Sequence, residues 1–196
     1  MPPSDRELVA RLRARDAAAF DALYARYAGR LWSFLRRLAT RADVAEDLFQ
    51  DTWLGVARAA PTLAEDTDLD AWLFTVARNR FRSHLRWRAF DRVRQALVAT
   101  TPAPRPRPPD EEAEARADVR RLERALAGLA PAHREVLLLA GTEDFDGRQL
   151  AEILGVGHDA VRKRLSRARE ELARRLEDDD GGDTAARGER GAGGQR

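Results

Sequence analysis

The chain of 196 residues contains no cysteine. Disulfide bonds, thiolate metal sites and a cysteine nucleophile are therefore excluded. Long apolar runs are also missing, because the longest, residues 136–140, is far shorter than the roughly 20 residues that cross a bilayer. The first seven residues lack the basic and then apolar layout of a secretion signal. We therefore expect a soluble, cytoplasmic protein with no membrane contact.

Lysine is nearly absent, since Lys163 is the only one and arginine carries the remaining positive charge. A GC-rich coding bias would produce this preference without any function. The 35 basic and 33 acidic residues give a net charge of +2, but they are unevenly distributed. Seven arginines and one aspartate lie in 78–94, five basic residues and no acid in 162–169, and four acids and no base in 43–51. Such blocks indicate surfaces with different partners.

Proline and glycine divide the chain into segments. Five of the nine prolines lie in 102–109, and such a stretch forms neither a helix nor a central strand. We predict a linker at 99–111. Residues 178–196 hold six of the 13 glycines and little that is apolar, which predicts a disordered acidic tail.

The rest of the chain lacks convincing strand alternation, so the predicted fold class is all-α, with two small helical domains at 1–98 and 112–177. In the first domain, a capping box at Ser4 and Glu7 predicts one helix start and Asp16 predicts the next. The inward stripe of this second helix is predicted to be Phe20, Leu23, Tyr24, Tyr27 and Leu31. Further helices are expected at about 42–59 and 71–90, the latter capped by Asp70, with a loop at 61–70.

The second domain is predicted to contain helices near 111–127, 131–140, 147–154 and 159–176, with Asp159 as a cap. The last two have the apolar spacing and the turn glycine of a helix-turn-helix, at Leu150, Ala151, Leu154, Gly155, Val156 and Val161. The exposed arc of the second helix would carry Arg162, Lys163, Ser166, Arg167 and Arg169. These side chains suit DNA phosphates and guanine edges. A helical hairpin with a solvated basic face is the alternative.

Aromatic and basic residues alternate along the helix at 71–90. Arg78, Arg82 and Arg86 are predicted to line one exposed face, Phe74 and Phe81 to lie in the core, and Trp72 and Trp87 to be exposed. Arginines that hold a backbone and rings that stack on bases are typical of single-strand binding. Any single ring in such a helix is nevertheless more often part of the core than a platform for bases.

An acidic helical stretch, residues 45–53, places Asp47, Gln50, Asp51 and Leu54 on one face. This face is either solvated surface or a docking site for a basic protein. Enzymatic interpretations find little support: His84, His133 and His158 lie on different segments, and neither a phosphate loop nor a nucleophile elbow is present. We expect no catalytic residues, no metal and no cofactor.

Four motifs in this order resemble regions 2 and 4 of a bacterial RNA polymerase sigma factor of the extracytoplasmic-function group. They lie at 16–24, 45–53, 71–79 and 150–169, and the resemblance covers residues 5 to 177 apart from the linker. It implies a polymerase subunit that recognises promoter elements and helps to melt DNA, with core RNA polymerase and promoter DNA as partners. Such factors are commonly held by an anti-sigma protein, although no residue here demonstrates one.

The resemblance also implies residue roles. Core polymerase would bind at Asp47, Gln50, Asp51 and Leu54. The minus-ten element would be met by the 61–70 loop and by Trp72, Arg78, Asn79, Arg82, Arg86 and Trp87. The minus-thirty-five element would be read by Arg162, Lys163, Arg164, Ser166 and Arg167. A stand-alone helix-turn-helix regulator is the main rival, and a nucleic-acid-processing enzyme is the third class considered.

Overall fold

The computed structural model describes residues 3–95, 114–143 and 145–191, and the regular structure within them is helical. Within these ranges there are eight α-helices, one 3-10 turn and no strand. The helices are α1 (Asp5–Arg13), α2 (Ala17–Ala39), α3 (Ala42–Ala59), α4 (Leu69–Gln95), α5 (Glu114–Gly128), α6 (Pro131–Thr142), α7 (Gly147–Leu154) and α8 (His158–Gly191). The all-α prediction is confirmed, and the predicted linker lies outside the described residues.

Side-chain caps mark the starts of the first two helices of the N-terminal domain. The Ser4 hydroxyl accepts a hydrogen bond from the Glu7 backbone, and the Glu7 carboxylate accepts one from the Ser4 backbone, so the predicted capping box is present. Asp16 accepts from the backbone N–H groups of Ala18 and Ala19 at the start of α2. Both caps satisfy amides that have no partner within their own helix.

The predicted cap of α4 and the predicted burial of Tyr24 were wrong. The carboxylate of Asp68, not Asp70, accepts the backbone N–H of Ala71, at 3.0 Å, and α4 therefore begins at Leu69. Asp70 lies inside the first turn of α4 and binds Arg30 instead. Tyr24 was predicted to face the core, but it is 43% exposed. Its ring packs against that of Trp53 in α3, with the two centroids 4.7 Å apart.

The C-terminal domain has its helix-turn-helix at α7 and α8. Gly155 ends α7 in the left-handed conformation, with φ 59°. A second capping box, Asp146 with Gln149, starts α7 and was not predicted from the sequence. The proposed cap Asp159 lies instead within the first turn of α8 and pairs with Arg162 at 2.7 Å.

Helix α8 continues past the end that the sequence predicted for it. Disorder was expected from residue 178, whereas the structure has α8 continuing to Gly191. Contacts with α5 hold the helix where the break was expected, because Arg121 donates to the backbone oxygen of Leu176 and Arg124 binds Asp179 at 3.0 Å. These contacts keep residues 176–179 helical and allow the next turns to follow.

The two domains share one apolar core. Helix α4 packs on α7, and α2 packs on α5 and α6. A row of rings crosses the boundary, since Phe74 lies 5.2 Å from Phe34 and 5.0 Å from Phe145 between centroids. Phe145, the only aromatic residue after the linker, therefore packs against the N-terminal domain.

Arg134 of α6 joins the ends of two helices across this boundary. Its guanidinium donates to the backbone oxygens of Leu126, Ala127 and Leu129 at the end of α5, and of Leu38 at the end of α2. Cations are favoured at helix C-termini, where carbonyl groups lack partners within the helix. One buried side chain thus fixes α2 relative to α5 and α6.

The turn glycine gives a stability prediction. Gly155→Ala should lower the free energy of unfolding by about 1 kcal/mol, because a side chain is disfavoured in the left-handed region. Gly141→Ala is the control, since an added Cβ there meets nothing within 4 Å and removing a helical glycine should stabilise by about 0.5 kcal/mol. Urea unfolding followed by circular dichroism measures both. A loss of stability in both variants, or in neither, would contradict this account.

Candidate nucleic-acid and protein interfaces

An acidic groove lies between α3 and α4. Asp47, Gln50, Asp51 and Leu54 are all exposed on one face of α3 and form one wall, as their spacing predicted. Arg80, His84 and Trp87, one helical turn apart on α4, form the other wall. The groove therefore combines two carboxylates that form no ion pair among the described residues with exposed apolar surface. This combination suits a basic, partly apolar protein partner.

Gly55 allows the two walls of this acidic groove to approach each other. A Cβ placed on Gly55 would lie 2.6 Å from Nη2 of Arg80, so the guanidinium lies directly against the α3 backbone. Any larger residue would push Arg80 out into the groove.

His84 lies in the α4 wall of the acidic groove, and its Nε2 atom is buried without a hydrogen-bond partner among the described residues. Burial lowers the pKa of His84 from its usual 6.5, and the positive charge of Arg88 lowers it further. Asp47 and Asp43 act in the opposite direction without overcoming burial. The imidazole is therefore neutral at pH 7, and the net charge of the groove comes from its carboxylates and Arg80.

The residues predicted for the minus-ten element do not share one surface. Asn79, Arg82 and Arg86 are exposed on α4, and Trp72 is half-buried against the core. Trp87 is 64% exposed, as predicted, but it lies in the acidic groove beside the α3 residues. Arg78 is only 4% exposed, so the prediction that it lines an exposed face was wrong.

Arg78 is buried because the C-terminal domain covers it. Its Nε atom binds Oε1 of Glu135 in α6 at 2.9 Å, and both side chains are only 5% exposed. Burial raises the pKa of Glu135 and lowers the pKa of Arg78, in each case against the attraction of the partner. Each charge would be unfavourable at this depth without the other.

The basic face of α8 is open to solvent. Arg162, Lys163, Ser166 and Arg167 are exposed, as is Arg169. Arg164 is half-buried and belongs to the charges that surround Arg78 and Glu135. Four of the five residues predicted for the minus-thirty-five element are thus exposed on α8, with Arg162 paired to Asp159, whereas Arg164 is near enough to act on Arg78 and Glu135.

Sequence reasoning missed the residues that join the domains. Glu135, Arg134 and Glu143 are polar residues in helical or turn contexts, and their patterns resemble those of ordinary surface residues. Arg30 binds both Asp70, at 2.6 Å, and the buried Glu143, at 3.1 Å. The one usable signal was Phe145, a lone aromatic residue in a domain that otherwise has none.

The fold and these surfaces together define a class of protein. An acidic groove on one helical domain and a basic helix-turn-helix on another are typical of a DNA-binding protein that also docks on a protein partner. No helix within the described residues is long and apolar enough to span a membrane.

Comparison with known proteins agrees with this class. The family model for sigma-70 region 2 matches residues 23–90, and the model for sigma-70 region 4 matches residues 119–172. The RNA polymerase sigma factor CarQ of Myxococcus xanthus is 35% identical over 163 residues, which are 82% of this chain and 91% of CarQ.

Two solved structures have similar folds. RpoE of Bartonella quintana, in complex with the anti-sigma factor NepR, has a TM-score of 0.68 and 28% identity, over 81% of this chain and 96% of RpoE. CnrH, in complex with the cytosolic domain of CnrY, has a TM-score of 0.68 and 26% identity, over 89% of this chain and 98% of CnrH.

The extracytoplasmic-function (ECF) RNA polymerase sigma factor SigL of Mycobacterium tuberculosis is 34% identical over 156 residues, which are 78% of this chain and 85% of SigL. The chain therefore belongs to the extracytoplasmic-function group of RNA polymerase sigma factors. It is a transcription initiation factor, with core RNA polymerase and promoter DNA as partners. This assignment favours the sigma interpretation over the stand-alone regulator.

The environment of His84 gives a pH prediction. Because burial lowers its pKa, the folded chain should hold a neutral imidazole at pH values where the unfolded chain is already protonated. The free energy of unfolding should therefore fall as the pH drops below about 6.5. An NMR titration of the three histidines, with His84→Asn to identify the signal, measures the midpoint directly. A midpoint at or above 6.5 for His84 would contradict this environment.

Proposed function

We propose that the separate surfaces of this sigma factor divide its work: the α3 face docks on core polymerase, α4 with the preceding loop opens the minus-ten element, and α8 reads the minus-thirty-five element. The observation that carries this proposal is the exposure of an acidic groove and a basic helix on different domains of one chain.

Docking is assigned to Asp47, Gln50, Asp51 and Leu54. Two carboxylates without an ion pair among the described residues flank an exposed leucine, and the neighbouring Trp87 adds an aromatic side chain. Charge complementarity favours rapid and specific association, whereas buried apolar and aromatic groups supply most of the binding free energy. Trp87 is assigned to the same contact because it lies in the groove.

Promoter opening is assigned to Trp72, Asn79, Arg82 and Arg86, with Arg78 becoming available when the C-terminal domain moves away. Exposed arginines along a helix can hold the backbone of a strand, and extrusion of a base costs a few kcal/mol that pocket contacts must offset. The 61–70 loop, which leads into α4, supplies the remaining contacts.

Reading of the minus-thirty-five element is assigned to Arg162, Lys163, Ser166 and Arg167, together with Arg164. Helix α8 follows the left-handed turn at Gly155, so its first turns form the recognition helix of the helix-turn-helix. Guanidinium groups there can contact phosphates and the edges of guanine.

We also propose the domain bounds, the localisation and the regulation of the chain. Region 2 occupies 1–98, the linker 99–111 and region 4 begins at 112. The protein acts in the cytoplasm, catalyses no reaction itself, and is held by an anti-sigma protein, as its structural relatives are by NepR and CnrY.

The deciding experiment for core docking is run-off transcription with purified core polymerase and fragmented DNA of the source organism. Asp47→Arg with Asp51→Arg should reduce promoter-dependent transcript and co-elution with core at least tenfold, because both charges that face the partner are reversed. The control is Asp21→Arg with Glu123→Arg, which makes the same charge change on other exposed surfaces. No transcript with the wild-type chain would refute the sigma function. An equal loss of transcript and of co-elution in the two double variants would refute the assignment of the docking face to α3.

The recognition helix is tested on a promoter recovered in that assay. Lys163→Ala and Arg167→Ala should each weaken binding and reduce the salt dependence by about one released counterion per lost phosphate contact. Arg174→Ala, exposed further along the same helix, is the matched control and should leave both quantities unchanged. Titrations at several salt concentrations measure them. A loss with Arg174→Ala equal to that with Arg167→Ala would exclude a site at the start of α8.

A further inference from the structure

One acidic residue lies in the basic first part of the proposed recognition helix. Asp159, the second residue of α8, is the only acid in 158–169, a stretch that holds five basic residues. Because a carboxylate repels DNA phosphates, an acid at this position weakens the nonspecific attraction of the helix to DNA. Its presence is explained either by the start of the helix, which favours negative charge, or by a specific contact.

Asp159 lies at the centre of the exposed arc in the first turns of α8. Three residues fall just short of a helical turn and four just exceed it, so Asp159 lies between Arg162 and Lys163 around the helix axis. All three residues are exposed, whereas Val161 is buried on the opposite side. In a helix-turn-helix, the first residues of the second helix meet the base edges in the major groove. Asp159 is therefore placed among the residues that can contact bases.

The start of α8 is packed closely against the start of α7. A Cβ added to Gly147, the first residue of α7, would collide with the imidazole of His158, the first residue of α8. The backbone N–H of Val161 donates to the carbonyl of Gly157 at 3.1 Å and closes the first turn around Asp159. The backbone that carries Asp159 therefore lies against α7 in a regular helical turn.

The carboxylate of Asp159 binds Arg162 through a single nitrogen. Oδ1 of Asp159 accepts a hydrogen bond from Nη2 of Arg162 at 2.7 Å, and the two side chains are 79% and 72% exposed. An exposed pair of this kind contributes little to stability. It does restrict the long side chain of Arg162, which then loses less rotamer freedom when it binds a ligand. A guanidinium has five N–H donors, so the remaining ones can still bind O6 and N7 of a guanine.

We propose that Asp159 determines base specificity at the minus-thirty-five element: Oδ1 holds Arg162 ready for a guanine, and Oδ2 accepts the amino group of a cytosine in the neighbouring base pair. A carboxylate only accepts hydrogen bonds, so it favours N4 of cytosine over thymine, which presents an oxygen acceptor in the major groove. Asp159 is thus a positioning residue for Arg162 and also a base contact of its own. The proposal rests on the assignment of α8 to the minus-thirty-five element.

The test uses holoenzyme reconstituted from core polymerase and the full chain, on the promoter recovered by run-off transcription. Each base pair of its minus-thirty-five element is replaced in turn by the other three, and the dissociation constant of every duplex is measured at one salt concentration. Asp159→Ala should lower the preference for guanine at one base pair and for cytosine at its neighbour by at least about fivefold each. The same variant should bind duplexes without the element more tightly than the wild type, because it lacks a charge that repels phosphates.

Glu170→Ala is the matched control, because it removes the same charge from the same exposed face of α8. The Glu170 carboxylate accepts a hydrogen bond from the Ser166 hydroxyl at 2.8 Å and not from an arginine. It lies three turns beyond Asp159, about 16 Å along the helix axis, so the base preferences should stay within about twofold of the wild type. Equal losses of base preference in the two variants, or no loss in Asp159→Ala, would overturn the role of Asp159.

The pattern of losses separates this role from a contribution to the start of the helix. A weakened helix start would act on every base pair of the element, whereas the proposed contacts act on two. In the Arg162→Ala background, Asp159→Ala should therefore reduce only the cytosine preference. A uniform loss of preference over the element would overturn the proposal. If the wild-type holoenzyme shows no base preference at any position, the proposed function itself fails, whereas preferences that Asp159→Ala retains overturn the role of Asp159 alone.

Discussion

Two charges almost without access to water, Arg78 and Glu135, decide how the halves of this sigma factor lie against each other. Neither could be buried alone, because an isolated charge in the interior loses far more solvation than a protein can replace. Each domain supplies one of them, so the contact is satisfied in a single arrangement. Further contacts join the same two domains: the rings of Phe74 and Phe145 pack together at the boundary, and Arg134 donates to the carbonyl of Leu38.

The contact between the two domains also determines which charged surfaces are accessible to solvent. The acidic groove on α3 and the start of α8 face solvent, whereas the side of α4 that carries Arg78 faces region 4. The net charge of +2 therefore gives little indication of how the chain meets nucleic acid, since basic groups on α4 and α8 are opposed by acids in the groove and at the domain boundary. In this arrangement the acidic groove is open to solvent, and the Arg78 charge on α4 is already paired with Glu135.

The sequence predicted most of the helices and some of their caps because these depend on local rules. Ser4, Glu7 and Asp16 are followed directly by the amides that they bind, so their roles could be read from spacing alone. Asp68 and Asp70 show the limit, since both stand before α4 and local spacing does not choose between them. Arg30 of α2 determines which aspartate caps the helix, because it binds Asp70 and Asp68 remains available as the cap.

The sequence by itself determined the helical class, the two domains, the helix-turn-helix and the group of residues that share the acidic face. These features follow from periodicity, capping and turn chemistry, which act over a few residues. Only the tertiary structure decided which charges are exposed. Arg78 and Arg82 are equivalent by helical spacing, and yet one is buried and the other is open, because Glu135, 57 positions further along the chain, packs against the first. Burial of a charge depends on a partner from another element, and no local pattern encodes where that partner will lie.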